Sequence, residues 1–112
     1  MSAPRLTRKL VLEERVRAPD GGGGMVEDWA GLGSHWAALR PVSARETVAG
    51  DRPVSRVTHE LTIRAAPPGS PKRPAADQRF RLGGRIFAIR GVAEADPEGA
   101  YLRVWVEEGG AS

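Results

Sequence analysis

The sequence predicts an all-β protein, a small antiparallel β-barrel of about six strands with one short helix and long loops. Fourteen glycines and nine prolines in 112 residues interrupt the chain too often for long helices. Between them, apolar and polar side chains alternate with the period of a half-buried strand. So short a sheet must also protect its edges, and closure into a barrel achieves this.

Composition limits the chain to one domain, residues 1–112, and excludes several kinds of protein. There is no cysteine, so disulfides and thiolate metal sites are excluded. No apolar run is long enough for a membrane span or a signal peptide, and we expect no membrane contact. The net charge of +3 comes from scattered arginines, which indicate either a bias in composition or a basic surface for an anionic partner.

The first two predicted strands cover residues 6–16 and 34–40. Leu10 and Leu12 share the inner face of the first strand, and Trp36 is the expected core anchor of the second. His35 is expected at the surface. The four glycines at 21–24 predict a mobile loop tip that orders on assembly, with Trp29 holding the far end of this loop against the domain.

The middle of the chain contains the predicted helix and the clearest strand. Ser43 and Glu46 have capping-box spacing, which predicts a short helix over residues 44–49. Residues 53–65 alternate strictly and place His59 in the inner row, where it is a core or interface residue more often than a ligand. The four prolines within residues 65–76 predict an extended, exposed loop.

The last strands form a hairpin over residues 78–90 and a final strand over residues 100–107. Gly83-Gly84 suits the positive φ angles of a two-residue primed turn. The rings of Tyr101 and Trp105 lie opposite an apolar row, so we expect a neighbouring subunit to cover them. The inward side chains are expected to be Phe80, Leu82, Phe87, Ile89, Leu102, Val104 and Val106.

No motif indicates an enzyme, a cofactor or a metal site. His35 and His59 lack zinc-ligand spacing. Adjacent acids such as Glu13-Glu14 point to opposite faces of a strand, so they are expected to be solvated charges. The glycine run is followed by Glu27 and Asp28 rather than by the Lys and Ser/Thr of a phosphate-binding loop.

Three motifs in order give a resemblance to a known family. They are W-A-x-x-x-P-x-S-x-R-E at 36–46, T-H-x-x-T-I-R at 58–64 and G-R-x-F-x-I at 84–89. Together with the acidic-Trp unit at 27–29, they resemble the phage head–tail joining (stopper, or head-completion) proteins, including those of phage-like gene transfer agents. The resemblance covers nearly the whole chain. The proline-rich insert at 65–76 is longer and more basic than the family pattern.

The resemblance implies a function in assembly. A ring of about six or twelve copies would lie beneath the portal and adaptor proteins, close the channel over packaged double-stranded DNA and dock the tail terminator or tail tube proteins. The protein would be made in the bacterial cytoplasm and end at the head–tail interface of the particle. A loop over residues 43–55 would reach the channel, with Arg45, Arg52 and Arg56 near phosphates or paired with acids. His59, Tyr101 and Trp105 are the candidate subunit-interface residues.

Two other interpretations stay open. One is another connector component, an adaptor or a tail-completion protein. The other is a free-standing barrel that binds single-stranded nucleic acid through Tyr101, Arg103 and Trp105. Salt-dependent DNA affinity of the isolated chain distinguishes the nucleic-acid binder from a stopper monomer.

Overall fold

In the computed structural model of the protein, six antiparallel strands close into a barrel, in the order β1-β2-β5-β8-β7-β6. The structure describes residues 4–42, 48–49, 52–53 and 58–109. Closure occurs where β6 pairs with β1. The predicted barrel is therefore confirmed. Its strands are β1 (Arg8–Pro19), β2 (Met25–Pro41), β5 (His59–Arg64), β6 (Arg79–Leu82), β7 (Arg85–Glu94) and β8 (Tyr101–Gly109), and β3 (Val48–Ala49) pairs separately with β4 (Arg52–Pro53).

The barrel interior is filled by apolar side chains from all six strands. Phe80 and Phe87 face each other across the β6–β7 pair and are its largest fully buried side chains. Because inward positions recur every second residue, alternation alone predicted most of this core. The core comprises Leu10, Leu12, Ala37, Leu61, Ile63, Phe80, Phe87, Ile89, Leu102, Val104 and Val106.

Strand β2 differs most from its predicted form. Residues 27–33, which lie between the two strands predicted over 6–16 and 34–40, belong to it and pair with β1. A bulge leaves Leu32 without a partner, because Leu12 pairs with Gly33 and Glu13 with Gly31. His35 and Ala37 face inward, so Trp36 points outward and is 54% exposed. The predicted role of Trp36 as a core anchor was wrong.

The predicted helix over residues 44–49 is not found in its described part. Val48–Ala49 is a strand that pairs with Arg52–Pro53. The other helix positions, residues 44–47, lie outside the described residues. Two-residue strands this close in sequence form a hairpin, so the chain between β2 and β5 contains β structure where helix was expected.

A two-stranded arm extends from the barrel. Strands β1 and β2 pair along their whole length from Arg8 to Pro19, but β1 pairs with β6 only at Val11–Glu13. Likewise, β2 pairs with β5 only from Ala37 onward. Residues 14–30 therefore form a hairpin to which no other strand of the described ranges is added, and we call it the β1–β2 arm. Its six pairs give it a length of about 20 Å.

The hairpin turn of β6–β7 lies at Gly83-Gly84 as predicted, but only Gly83 has the expected positive φ. Gly83 has a φ of +59°, the left-handed value that a primed two-residue turn requires. The proline-rich segment is less open than expected. Most of residues 65–76 are exposed, but Ala66 and Pro74 are buried, and the Arg73 Nη1 donates to the Ala66 carbonyl at 3.0 Å.

Candidate subunit interface

The outer face of strands β2, β5 and β8 carries a row of basic and aromatic side chains. Lys9 pairs with Trp36 across β1–β2, and Arg64 pairs with Tyr101 across β5–β8. The pairing of Ala37 with Ile63 places Trp36 next to Arg64 in the same register. We call Lys9, Trp36, Arg64 and Tyr101 the outer row. Neither Lys9 nor Arg64 forms an ion pair with another residue in the described part of the chain.

On the same face, the carboxylate of Glu60 lies between two arginine side chains, Arg40 and Arg103. Glu60 Oε1 accepts a hydrogen bond from Arg40 Nη2 at 3.1 Å and lies 3.4 Å from Arg103 Nε. The Arg103 Nε atom is buried and makes no hydrogen bond within the described residues. Trp105, the cross-strand partner of Glu60, lies over Gly91, where an added Cβ would be 3.4 Å from Trp105 Cε3. Because Gly91 has no side chain, the indole of Trp105 packs directly against its backbone.

Only two of the three predicted interface residues lie together. Tyr101 and Trp105 are half-buried on the outer face of β8. His59 lies instead in the inner row of β5 at one end of the barrel, edge-on to Phe87 with 5.5 Å between ring centroids. Its Nδ1 is 3.0 Å from Thr58 Oγ1 and 4.0 Å from Glu108 Oε1. His59 therefore belongs to the packing of this barrel end rather than to the aromatic face.

An arginine-carboxylate pair closes the same barrel end. Arg85 donates to both carboxylate oxygens of Glu108, at 2.8 Å and 3.0 Å, and its guanidinium lies 5.0 Å from the centroid of Phe87. The hydrogen bonds from Arg85 hold the pKa of Glu108 below its ordinary value despite some desolvation. This pair joins β7 to the last residues of β8.

Glu13 is the feature that the sequence analysis missed. Predicted to be solvated, it is 7% exposed and accepts hydrogen bonds from Arg79 Nε at 2.7 Å and Arg81 Nε at 3.0 Å. Burial alone would raise the pKa of Glu13, but these hydrogen bonds and the two positive charges outweigh it and lower the pKa. Adjacent acids can differ in this way because only one of them faces the arginine side of β6.

The Glu13 cluster also anchors the arm. The Arg79 guanidinium lies 4.1 Å from the ring centroid of Trp29, and Arg15 lies 5.2 Å from the same ring. Trp29 thus joins the base of the arm to β6, in agreement with its expected role. A groove of about 450 Å³ beside this contact has Ile86 and Ala88 among its lining residues.

His35 is buried rather than at the surface, so that prediction was wrong. Its Nε2 donates to the carbonyl of Lys72 at 2.7 Å, and its ring packs edge-on against Phe80. Burial lowers the pKa of His35, although the Lys72 carbonyl opposes this effect. His35 therefore ties the proline-rich segment to the barrel, a long-range contact that no local pattern reveals.

The arm tip is closed by one aspartate. The Asp20 carboxylate accepts from the backbone N–H of Gly22 at 2.8 Å and of Gly24 at 2.9 Å, and these bonds lower its pKa. Next to this turn, Met25 is 52% exposed and Val26 is 46% exposed. Together with Trp36 they are the exposed large hydrophobic side chains of the described residues.

Comparison with known proteins identifies the family. The family model described as phage head completion protein matches residues 1–109. The chain belongs to this family. A protein in the virion of a native gene transfer agent particle has a similar structure, with a TM-score of 0.72 and 44% sequence identity over 97% of this chain and 100% of that one. No curated protein matches the chain.

The resemblance drawn from the sequence motifs is thus confirmed. The family is one of structural virion proteins, and this head completion protein is accordingly a virion component. Within the described ranges no group of three or more His, Asp or Glu side chains could hold a metal ion. The same ranges contain no helix that could span a membrane.

The structure leaves the candidate channel residues of this head completion protein largely undescribed. Arg45 and Arg56 lie outside the described residues. Arg52 lies in β4, where its backbone pairs with Ala49. All three positions fall in the chain between the end of β2 and the start of β5.

Proposed function

We propose that this head completion protein is a stopper: a ring of its copies lies beneath the portal and adaptor, closes the DNA channel after packaging and docks the tail. The observation that carries this proposal is the aromatic outer face of β2, β5 and β8. The barrel interior is already filled by its own core. The ring surfaces of Trp36, Tyr101 and Trp105 are therefore available to other subunits.

The residues between the ends of β2 and β5 are the proposed channel-facing segment. Arg45, Arg52 and Arg56 would contact DNA phosphates, and cyclic repetition would multiply each weak contact. The β3–β4 hairpin within this segment supports the proposal, because a paired hairpin can extend from a barrel without a core of its own. Substituting Arg45, Arg52 and Arg56 together by Gln should leave particle assembly intact while packaged DNA escapes faster.

A free-standing single-strand binder is the second candidate, and the nearness of aromatic and basic side chains on one face favours it. Two contacts argue against it. Glu60 already pairs with Arg40 and Arg103, and the indole of Trp105 packs against the backbone of Gly91. These two contacts limit the binding face that was predicted at Tyr101, Arg103 and Trp105, because bases stack on accessible rings and cations already paired with a carboxylate attract phosphates less. We expect the isolated chain to bind single-stranded DNA weakly, without the steep salt dependence of a dedicated binder.

Gene deletion in cells that produce the particle tests the stopper function. We expect heads that package DNA but leak it and lack tails, and complementation by the parent chain should restore both properties. A Trp105→Ala chain should complement poorly. A Glu98→Ala chain, changed at an exposed position of the turn between β7 and β8, should complement fully. Heads that fail to package DNA at all would contradict the proposal.

A further inference from the structure

Two exposed surfaces of this chain have complementary chemistry. The arm tip, residues 18–28, contains the exposed apolar side chains Met25 and Val26. It also contains three carboxylates, Asp20, Glu27 and Asp28, and no Lys or Arg. Glu27 pairs with Arg15 of the same arm at 3.2 Å, so Asp20 and Asp28 are the carboxylates left for a cation of another molecule. The formal net charge of the whole chain is +3, so the remaining residues carry +6. The lowered pKa of Asp20 keeps its charge in place down to acidic pH.

The outer row provides the matching surface. The exposed indole of Trp36 is flanked by Lys9 on β1 and by Arg64 on β5. Neither cation has an ion-pair partner among the described residues. An aromatic side chain between two cations suits a ligand that is both apolar and acidic.

The positions of the two surfaces prevent contact within one chain. Val26 and Ser34 lie on the same continuous strand, β2, and are eight positions apart along it. That spacing corresponds to about 26 Å. The tip must therefore meet its complement on another molecule. Contact between two different patches repeats from copy to copy and closes into a ring when the rotation permits.

We propose that the β1–β2 arm of one copy docks its tip onto the outer row of the next copy, with Val26 against Trp36 and with Asp28, which shares the same face of β2, beside Lys9 and Arg64. This proposal rests on the ring proposed above and assigns its contact. The arm length of about 20 Å is of the order needed to reach a neighbour, since the barrel itself is only tens of ångströms across. The anchor of Trp29 on Arg79 fixes the direction of the arm before assembly.

The absence of cysteine in the natural sequence makes a direct test possible. The chain is given two cysteines, Val26→Cys on the tip and Ser34→Cys beside Trp36, and particles are oxidised and analysed on a non-reducing gel. An intramolecular disulfide is excluded, because it requires Cα atoms within about 7 Å. We expect a ladder of covalent multimers that ends at the closed ring. The matched control, Val26→Cys with Glu98→Cys, should stay monomeric.

The failures of this proposal and of the stopper function are distinguishable. Particles that keep their DNA and tails but show only monomers or only dimers overturn the arm contact and leave the stopper function intact. Tailed, DNA-tight particles after gene deletion overturn the stopper function itself. A ladder from Val26→Cys with Ser34→Cys, together with a monomeric control, establishes the arm contact.

A charge exchange gives a second test that does not depend on oxidation. Arg64→Glu places like charges at the contact and should lower the yield of assembled rings about fivefold. Adding Asp28→Arg should restore most of that yield. Adding Glu98→Arg instead restores the same net charge in the wrong place and should not restore it. Equal yields from the two double variants would overturn the proposal.

Discussion

Replacing Glu13 by Gln should destabilise the barrel more than any other single charge-neutralising change on β1. The carboxylate is 7% exposed and accepts hydrogen bonds from two arginines on β6. An amide of the same shape keeps one acceptor but loses the charge and turns a donor toward a guanidinium. Hydrogen bonds to charged groups contribute about 1.5–3 kcal/mol each. Arg81 is partly exposed and can regain water, so we expect a total cost of about 2–3 kcal/mol.

Thermal unfolding of the purified chain measures this cost. For a domain of this size, about 2–3 kcal/mol corresponds to a decrease in Tm of about 10 °C. Glu14→Gln is the matched control, because Glu14 is the next residue, is half-buried and forms no ion pair with another described residue. Its Tm should change by less than about 2 °C. Equal Tm values for the two variants would refute the assignment of stability to the Glu13 cluster.

The pH dependence of the same pair gives an independent check. The folded pKa of Glu13 is lowered, so its stabilising contribution is complete above the unfolded pKa of about 4.3. That contribution decreases as the pH falls through the folded value. Glu13→Gln should therefore show a smaller loss of stability between pH 5 and pH 3 than the parent chain. An equal loss of stability in the two chains between pH 5 and pH 3 would contradict the lowered pKa of Glu13.

Two further predictions concern β2. Gly33 has a φ of +130°, so Gly33→Ala should cost about 1–2 kcal/mol of unfolding free energy in urea unfolding. Gly31→Ala is the control. Its added Cβ would lie 3.7 Å from Val11, an ordinary contact, so this variant should be nearly neutral in the same assay. Burial lowers the pKa of His35 in the folded chain. The unfolded chain therefore binds a proton near pH 6.5 more readily than the folded chain does. The free energy of unfolding should consequently fall as the pH decreases from about 7 to about 5. His35→Gln should flatten that part of the Tm profile, and an unchanged slope would contradict the buried imidazole.

The barrel was predictable because the sequence features that specify it lie within short segments of the chain. Strict alternation in β5 and β8 places Leu61, Ile63 and the Leu102–Val104–Val106 row inside, and the Gly83 turn fixes how β6 meets β7. Each of these features is visible within a few neighbouring residues. The closure of about six strands into a barrel then followed from the need to cover every edge, whereas the order of the strands was not predicted.

The errors arise where a distant contact decides the outcome. Trp36 was expected inside because it is large and aromatic, but the bulge at Leu32 and the inward His35 place it outside. His35 is buried because a carbonyl 37 residues away accepts its hydrogen. Glu13 is buried because Arg79 and Arg81, 66 and 68 residues away, meet it across the closing β1–β6 pair. A single sequence does not specify such pairings before the fold is known.

The contact proposed between copies and the stability of the barrel involve separate sets of residues, and this separation is itself testable. Trp36 is 54% exposed and its strand neighbours His35 and Ala37 supply the inward contacts, so Trp36→Ala removes little buried area from the monomer. It should leave the Tm within about 2 °C of the parent value while reducing tail attachment, since an aromatic at the centre of an interface is a frequent hot spot. Glu13→Gln should lower the Tm but leave tail attachment unchanged in particles that are assembled below the Tm of this variant. A Trp36→Ala chain that lost stability and tail attachment together would mean that the exposed indole supports the barrel rather than the joint between copies.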